Sequence, residues 1–281
     1  MWVLSSVMGS GCPVRTPATP REAPAGGPYA ATVISLARST RPDIVEGALL
    51  VVPLGSTEQH GHHLPLGTDT TVACAVAVAV AVAEAAADAV DGALLAPALA
   101  YGASGEHEGF PGTVSLGTEA LTGLLVEYGR SAGRWAGRVL LVNGHGGNSD
   151  ALRAAGTLLR GEQRDIAWFP CGVPGGDAHA GRTETSLMLH VEPEGVLGER
   201  AVAGDPTPIA ELVPRLRADG VAAVSPTGVL GDPAGASAAE GAGLLAELAD
   251  RLVAAVRAWD VDPAGRLLEP RGTGGTLPAA G

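Results

Sequence analysis

The sequence predicts an α/β fold: a mainly parallel sheet covered by helices on both faces. Three observations carry that expectation. Short apolar runs at 48–54, 93–97, 138–142 and 165–169 alternate with longer amphipathic segments, and strands alternating with helices build parallel sheets. Hydrophobic residues make up 46% of the 281, enough for one large core. The polar motifs follow an apolar run or lead into an amphipathic segment, and open α/β sheets bind ligands beyond the carboxyl ends of their strands.

Helices are expected at 70–90, 118–135, 149–161, 183–191, 208–218 and 237–258. The first is in conflict with itself. Its Ala–Val alternation has the period of a strand, whereas its length and alanine content are those of a helix. Helix is the better reading because strands rarely approach twenty residues. Thr118 before Glu119 and Ser149 before Asp150 read as N-caps. Residues 1–43, rich in Pro, Ala, Gly, Thr and Arg, are expected to be a disordered N-terminal extension. One domain is then expected over 44–260, and a disordered Gly/Pro tail over 261–281.

The net charge of −12 argues against nucleic acid, which requires clustered Lys and Arg, and against anionic membrane surfaces. The longest candidate span, Val72 to Val90, carries Glu84 and Asp88, so no transmembrane helix is expected. Met1 to Cys12 lacks a basic n-region; no signal peptide is read there, and a cytoplasmic location is expected. Cys12, Cys74 and Cys171 show no CxxC spacing, which gives no zinc–cysteine site.

The chemistry concentrates in three motifs. Glu58-Gln59-His60 follows the run 48–54, and Asp69 lies nine residues on. In extended chain Glu58 and His60 point the same way, an arrangement suited to mixed imidazole and carboxylate ligation of Zn²⁺, Mn²⁺ or Fe²⁺. Asn143-Gly144-His145-Gly146-Gly147-Asn148 follows 138–142, with glycines that let backbone pass close to a bound group. A phosphate-cradling loop is the weaker rival, because the spacing fits neither Walker A nor GxGxxG. His179 and Glu184 lie five apart in Asp177-Ala178-His179-Ala180-Gly181-Arg182-Thr183-Glu184, and Glu184 taken alone reads equally as a helix-start carboxylate. Together Glu58, His60, Asp69, His145 and Glu184 suffice for two divalent ions with Asp69 bridging. Such a pair lowers the pKa of a shared water, and His179 is left to protonate a leaving amine. A fourth stretch, Tyr101 to Thr113, is expected to shape the pocket, with Glu106, His107 and Arg182 as candidate substrate-binding residues. His63 is a candidate for orienting a ligand, whereas His62 and His190 read as ordinary histidines.

The set EQHGHHLPLGTD, NGHGGN and HAGRTETS, in this order and roughly at this spacing, resembles the creatininase family of metal-dependent amidohydrolases over about residues 46–258. The resemblance implies a single three-layer α/β/α domain, two divalent ions per subunit and a homo-oligomer, by family habit a hexamer. It carries Glu58, His60, Asp69 and His145 over as ligands and His179 as a catalytic residue. One departure is Gly147, where creatininase has a ligand glutamate; Glu184 is the candidate to replace it. A second is Ala178, where creatininase has a catalytic glutamate, which argues against creatinine as substrate. A narrower resemblance runs from LAYGASGEHEGFPGT through PGGDAHAGRTETS to VAAVSPTGVLGDP. It is to the actinobacterial branch of the family that acts in mycofactocin maturation, peptidases that remove a decarboxylated, cross-linked C-terminal Val-Tyr unit from a precursor peptide. Fe²⁺ or Zn²⁺, with Mn²⁺ as the alternative, are the cofactors this implies. The rival functions are a creatininase-type amidohydrolase acting on a small cyclic amide or formamide, and a non-catalytic metal-binding scaffold.

Overall fold

The computed structural model describes residues 34–86 and 93–270. Its sheet has five parallel strands in the order β1-β3-β2-β4-β5: β1 (Ile34–Ser35), β2 (Leu49–Leu54), β3 (Ala93–Leu95), β4 (Arg138–Asn143) and β5 (Ile166–Pro170). All four expected strands are present. The helices are α1 (Thr68–Ala86), α2 (Thr118–Ala132), α3 (Ser149–Gly161), α4 (Arg182–Val191), α5 (Ile209–Asp219), α6 (Val221–Val224) and α7 (Ala238–Ala258). The ambiguous segment is helical as far as it is described; residues 87–92 lie outside the described residues.

Strand alternation divides the core into two layers. Leu49, Val51, Leu140, Val142 and Phe169 face α1, α4 and α7, packing with Val76, Val80, Met188, Leu248 and Leu252. Leu50, Val52, Leu54, Leu141 and Trp168 face α2 and α3, packing with Leu121, Leu125, Leu152 and Leu159. The arrangement is the expected three-layer α/β/α domain. Both faces of β2 are buried, which is why this strand reads as an unbroken apolar run. Pro53 is tolerated there because its missing N–H falls on the β3 side, where β3 has already ended at Leu95 and only the Pro53 carbonyl is used, by Leu99 N–H at 2.9 Å.

Three expectations are corrected. Order reaches into both supposed tails: Ile34 and Ser35 pair with Leu94 and Leu95, and Leu267, 1% exposed, enters the core while its N–H donates to the Trp168 carbonyl at 2.9 Å. Average composition hides these few apolar residues among Gly and Pro. Residues 1–33 and 271–281 lie outside the described residues. Thr118 and Ser149 stand inside the first turns of α2 and α3, behind Gly117 and Asn148, and do not cap them.

The chain runs from β2 out to β3 and then returns to the other side of β2 as β4. The crevice of such a sheet opens where strand order reverses, here between the ends of β2 and β4, paired at Leu54 and Asn143. The first turn of α1 plugs this point. A Cβ on Gly144 would stand 2.2 Å from the Asp69 carbonyl oxygen, so only glycine lets α1 approach. Gly144→Ala is therefore expected to cost about 1–3 kcal/mol by overpacking, read in urea denaturation. An unchanged midpoint would mean that α1 can withdraw freely.

Candidate metal centre

Beyond the end of β2, Glu58 and His60 come to lie wholly buried, each 0% exposed. A tight loop follows, with the Glu58 N–H donating to the Leu66 carbonyl at 3.0 Å and the Leu64 N–H to the His60 carbonyl at 3.3 Å. It delivers Asp69 to the start of α1. His145 emerges beside it from β4. Its turn is tied down by Asn148, whose side chain donates to the Gly55 carbonyl at 3.0 Å and accepts from the Ala103 N–H at 2.8 Å. Glu184 sits in the first turn of α4. That helix is capped by Asp177, which accepts the N–H groups of Arg182 and of Thr183, the latter at 3.0 Å. Ala180, held at φ +51°, donates its N–H to Glu184 Oε2 at 2.6 Å and so aims that carboxyl inward.

Asp69 is the centre of the cluster. Its Oδ1 lies 3.1 Å from His60 Nε2, and its Oδ2 lies 3.2 Å from His145 Nδ1 and accepts from Ser56 Oγ at 2.7 Å. Glu58 Oε1 is 3.2 Å from His145 Nδ1, and Glu184 Oε2 is 3.8 Å from His60 Nε2. Three sets have potential ligand atoms mutually within 4.8 Å: Glu58, Asp69 and His145; His60, Asp69 and Glu184; Glu58, His60 and His179. The first two comprise the five residues expected from sequence and share Asp69. The far nitrogens are held by carbonyls, His60 Nδ1 by Glu58 at 3.1 Å and His145 Nε2 by Ala103 at 3.1 Å. Carbonyl partners of this kind fix ring orientation and leave the other nitrogen free to ligate.

Glu58 tests whether a cation fits. His145 Nδ1 and His107 Nε2 approach its Oε1 to 3.2 and 3.3 Å without hydrogen-bond alignment, and among the described residues neither carboxylate oxygen has a donor. A buried carboxylate left without a donor costs several kcal/mol. A divalent cation between Glu58, Asp69 and His145 removes that cost, so the donor set fits a metal.

Charge in the cluster is strongly coupled. Burial would push His60 down, but Asp69, then Glu184 and Glu58, hold it up at about 10. Burial likewise opposes the proton on His145, and Glu58 and Asp69 raise it well above the usual range. Burial would lift Glu58, yet His145 brings it down to about 2; Asp69 is held well below its usual value by His60 and His145 in spite of its burial. Glu184 is lifted by burial to about 7, against the pull of His60. Burial, then His60 and His107, keep His179 well below the ordinary imidazole value.

The cluster floors a cleft of about 800 Å³, reached by Asp69, His145, His179 and Glu184 and walled opposite by Val213, Leu216 and Val221 of α5 and α6. Glu106 and His107 line it too, as the fourth stretch predicted. Arg182 does not come to this cleft: it points across α4 and pairs with Glu240 at 2.9 Å. Asp177 is consumed as the α4 cap, and no side chain fits at Gly147, where a Cβ would meet the Ala103 carbonyl at 2.4 Å and Glu106 Oε1 at 2.5 Å. His63 touches Thr185, 2.9 Å away and next to Glu184, instead of contacting a cluster residue directly. His62 and His190 are exposed. Sequence reasoning passed over Ser56 and Gln59. Alternation along the EQH segment was the available signal for Gln59, since it sets the middle side chain apart from its neighbours.

Comparison with known proteins agrees with this geometry. The family model "Creatininase: Creatinine amidohydrolase" matches residues 37–256. The chain is 57% identical over 219 residues to the mycofactocin precursor peptide peptidase of Mycolicibacterium smegmatis (strain ATCC 700084 / mc(2)155), covering 78% of this chain and 88% of that one. It is 54% identical over 250 residues to the protein of the same name from Mycobacterium tuberculosis (strain ATCC 25618 / H37Rv), covering 88% and 97%. Among solved structures it is similar to one described as "Creatininase Mn", with a TM-score of 0.62, 26% identity, and coverage of 81% of this chain and 99% of that chain. The family match takes in all three motifs and every residue of the buried cluster, and the chain belongs to the creatininase family.

Proposed function

We propose that this chain is the peptidase that removes the decarboxylated, cross-linked C-terminal Val-Tyr unit from the mycofactocin precursor peptide. The observation that carries the substrate is the 57% identity to a relative of that name. The chemistry is carried by Asp69 standing between two donor sets. Glu58, Asp69 and His145 hold one divalent ion in this reading, and His60, Asp69 and Glu184 the other. Zn²⁺, Fe²⁺ and Mn²⁺ all suit such mixed ligands. The resemblance further supports a cytoplasmic homo-oligomer.

The ions, when bound, lower the pKa of water and polarise the scissile carbonyl. The protein's own groups do the rest. Ser56 holds Asp69 by a hydrogen bond to Oδ2, and the Ala180 N–H holds Glu184. His179, buried at the cleft floor and kept neutral by its surroundings, accepts a proton as water attacks and returns it to the leaving amine. The cleft volume of about 800 Å³ suits a peptide end better than creatinine. The functional test is mass spectrometry of a synthetic precursor carrying the modified end, with an unmodified peptide and creatinine in parallel. Loss of the terminal unit from the modified peptide is expected. An intact peptide with every metal, alongside an opened small cyclic amide, would move the function to the amidohydrolase reading.

Three outcomes follow for the site. His145→Ala is expected to lose metal, by elemental analysis, together with activity. His179→Ala should retain metal and slow turnover by about 10²–10⁴-fold; an emptied site would make His179 a ligand instead. Metal uptake should depend on pH in a defined direction. Raised pKa values mean that His60 and His145 carry protons at neutrality, which a metal must displace. Affinity should therefore rise with pH up to about 10 for His60, by about tenfold per unit for each proton displaced. Protonation of Glu184 adds a further loss below about 7. Chelator competition between pH 6 and 9 reads this slope, and a flat profile contradicts the ligand assignment.

A further inference from the structure

Gln59 stands between two proposed ligands, yet its side chain turns away from both. The amide is 4% exposed and every polar atom of it is engaged. Its Oε1 accepts the Gly61 N–H at 2.9 Å, and its Nε2 donates to the Gly228 carbonyl at 3.1 Å. A main-chain donor at one end and a main-chain acceptor at the other permit one orientation of the amide only. Gly228 makes room for it: at φ +78°, a Cβ there would stand 1.9 Å from Oε1. The second Nε2 hydrogen meets His107 Nδ1 at 2.9 Å. That nitrogen must therefore accept, and the His107 proton sits on Nε2, the nitrogen 3.3 Å from Glu58 Oε1, though out of line for a hydrogen bond.

The main chain of the same residue governs the other histidine. His179 Nε2 lies 2.8 Å from the Gln59 carbonyl oxygen. A carbonyl only accepts, so the proton of neutral His179 is on Nε2. The Gln59 amide, 3.1 Å from that nitrogen, has both hydrogens committed elsewhere and does not compete. His179 Nδ1 then carries a lone pair and faces the cluster, 3.8 Å from Glu58 Oε1.

From these contacts we infer that Gln59 is a positioning residue that sets the tautomers of two histidines: its side chain fixes His107 with Nε2–H toward Glu58, and its carbonyl fixes His179 with a bare Nδ1 toward the cleft. The consequence for His179 rests on the reading of that residue as the proton carrier. It begins the reaction as an acceptor at Nδ1, and the proton it later gives to the amine is one it has first received there.

The test uses the full-length, zinc-loaded protein with ¹⁵N-labelled histidines, read by two-bond ¹H–¹⁵N correlation. Wild type should show His107 and His179 as Nε2–H tautomers. Gln59→Glu keeps the shape but has no hydrogens to donate, so His107 should move to Nδ1–H while His179 keeps its pattern. Zinc affinity should fall about 10–100-fold as Glu58 loses its oriented neighbour, and Gln59→Leu should show the same direction. An Nδ1–H tautomer for wild-type His179 would overturn the carbonyl half of the inference. Unchanged His107 signals in Gln59→Glu would overturn the side-chain half. Both readings are independent of substrate, so a failed peptide assay with the expected tautomers would count against the proposed function alone.

Discussion

The close approach of α1 to the sheet at Gly144 is the constraint on which the site depends. Two parallel strands, β2 and β4, end side by side at Leu54 and Asn143, and each continues into a segment that carries a histidine. The β2 segment brings Glu58 to 3.2 Å from His145, but a carboxylate within 3.2 Å of both His60 and His145 comes only with Asp69. Asp69 reaches both because α1 starts against the strand ends, with no side chain on residue 144 to hold it off. Shifting α1 outward by the width of a methyl group would draw Asp69 from both His60 and His145 at once. The core beneath, Val72, Val76 and Val80 of α1 packed on Val51 and Val142, keeps the helix in this place. Packing energy from the apolar face is thereby converted into placement of a charged one.

The price of this arrangement is charge taken out of water. Glu58 and Asp69 meet His60, His145, His107 and His179 in a region almost closed to solvent, with the partly exposed Glu184 at its edge. Burial opposes the ionised form of every one of them, and only mutual attraction keeps Glu58 and Asp69 ionised. The imidazolium protons on His60 and His145 occupy the role of cations, with poorer geometry, since among the described residues both oxygens of Glu58 still lack a donor. A protein that needed only stability would fill this volume with apolar side chains, which are often at least as stable as a buried ion pair. The cluster is therefore better explained by what it binds than by what it contributes to folding.

Much of this was legible in the sequence because period and spacing report it. Apolar runs marked β2 to β5, and the EQH, NGHGG and HAGRTET segments identified the residues that the fold gathers. The remainder depends on contacts between distant parts of the chain. Arg182 sits next to the HAG motif, but a helix turn carries it round to Glu240 on α7, and no local pattern encodes that rotation. Asp177, two residues before His179 in the same motif, is bound to the first amides of α4. Leu267 lies in a Gly- and Pro-rich stretch, where a few scattered apolar residues give no periodicity to detect. Gln59 was in plain view inside the motif, but its partners at 107, 179 and 228 are separated from it by 48 to 169 residues.

Metal floor and cleft wall come from different parts of the chain, and that separation bears on how one fold serves different amides. The donors are fixed by β2, β4, α1 and α4, all packed into the main core. The opposite wall, α5 and α6, belongs to a small cluster of its own around Leu212, Leu216, Val221 and Leu230. It meets the floor through the 3₁₀ turn at Gly105–His107 and through Leu230, whose main chain pairs with that of His179. Changes in 209–224 can therefore reshape the space above the buried cluster while leaving β2, β4, α1 and α4 in place, whereas a change in α1 moves Asp69. On the proposed reading, substrate choice is a property of the wall and activation of water a property of the floor.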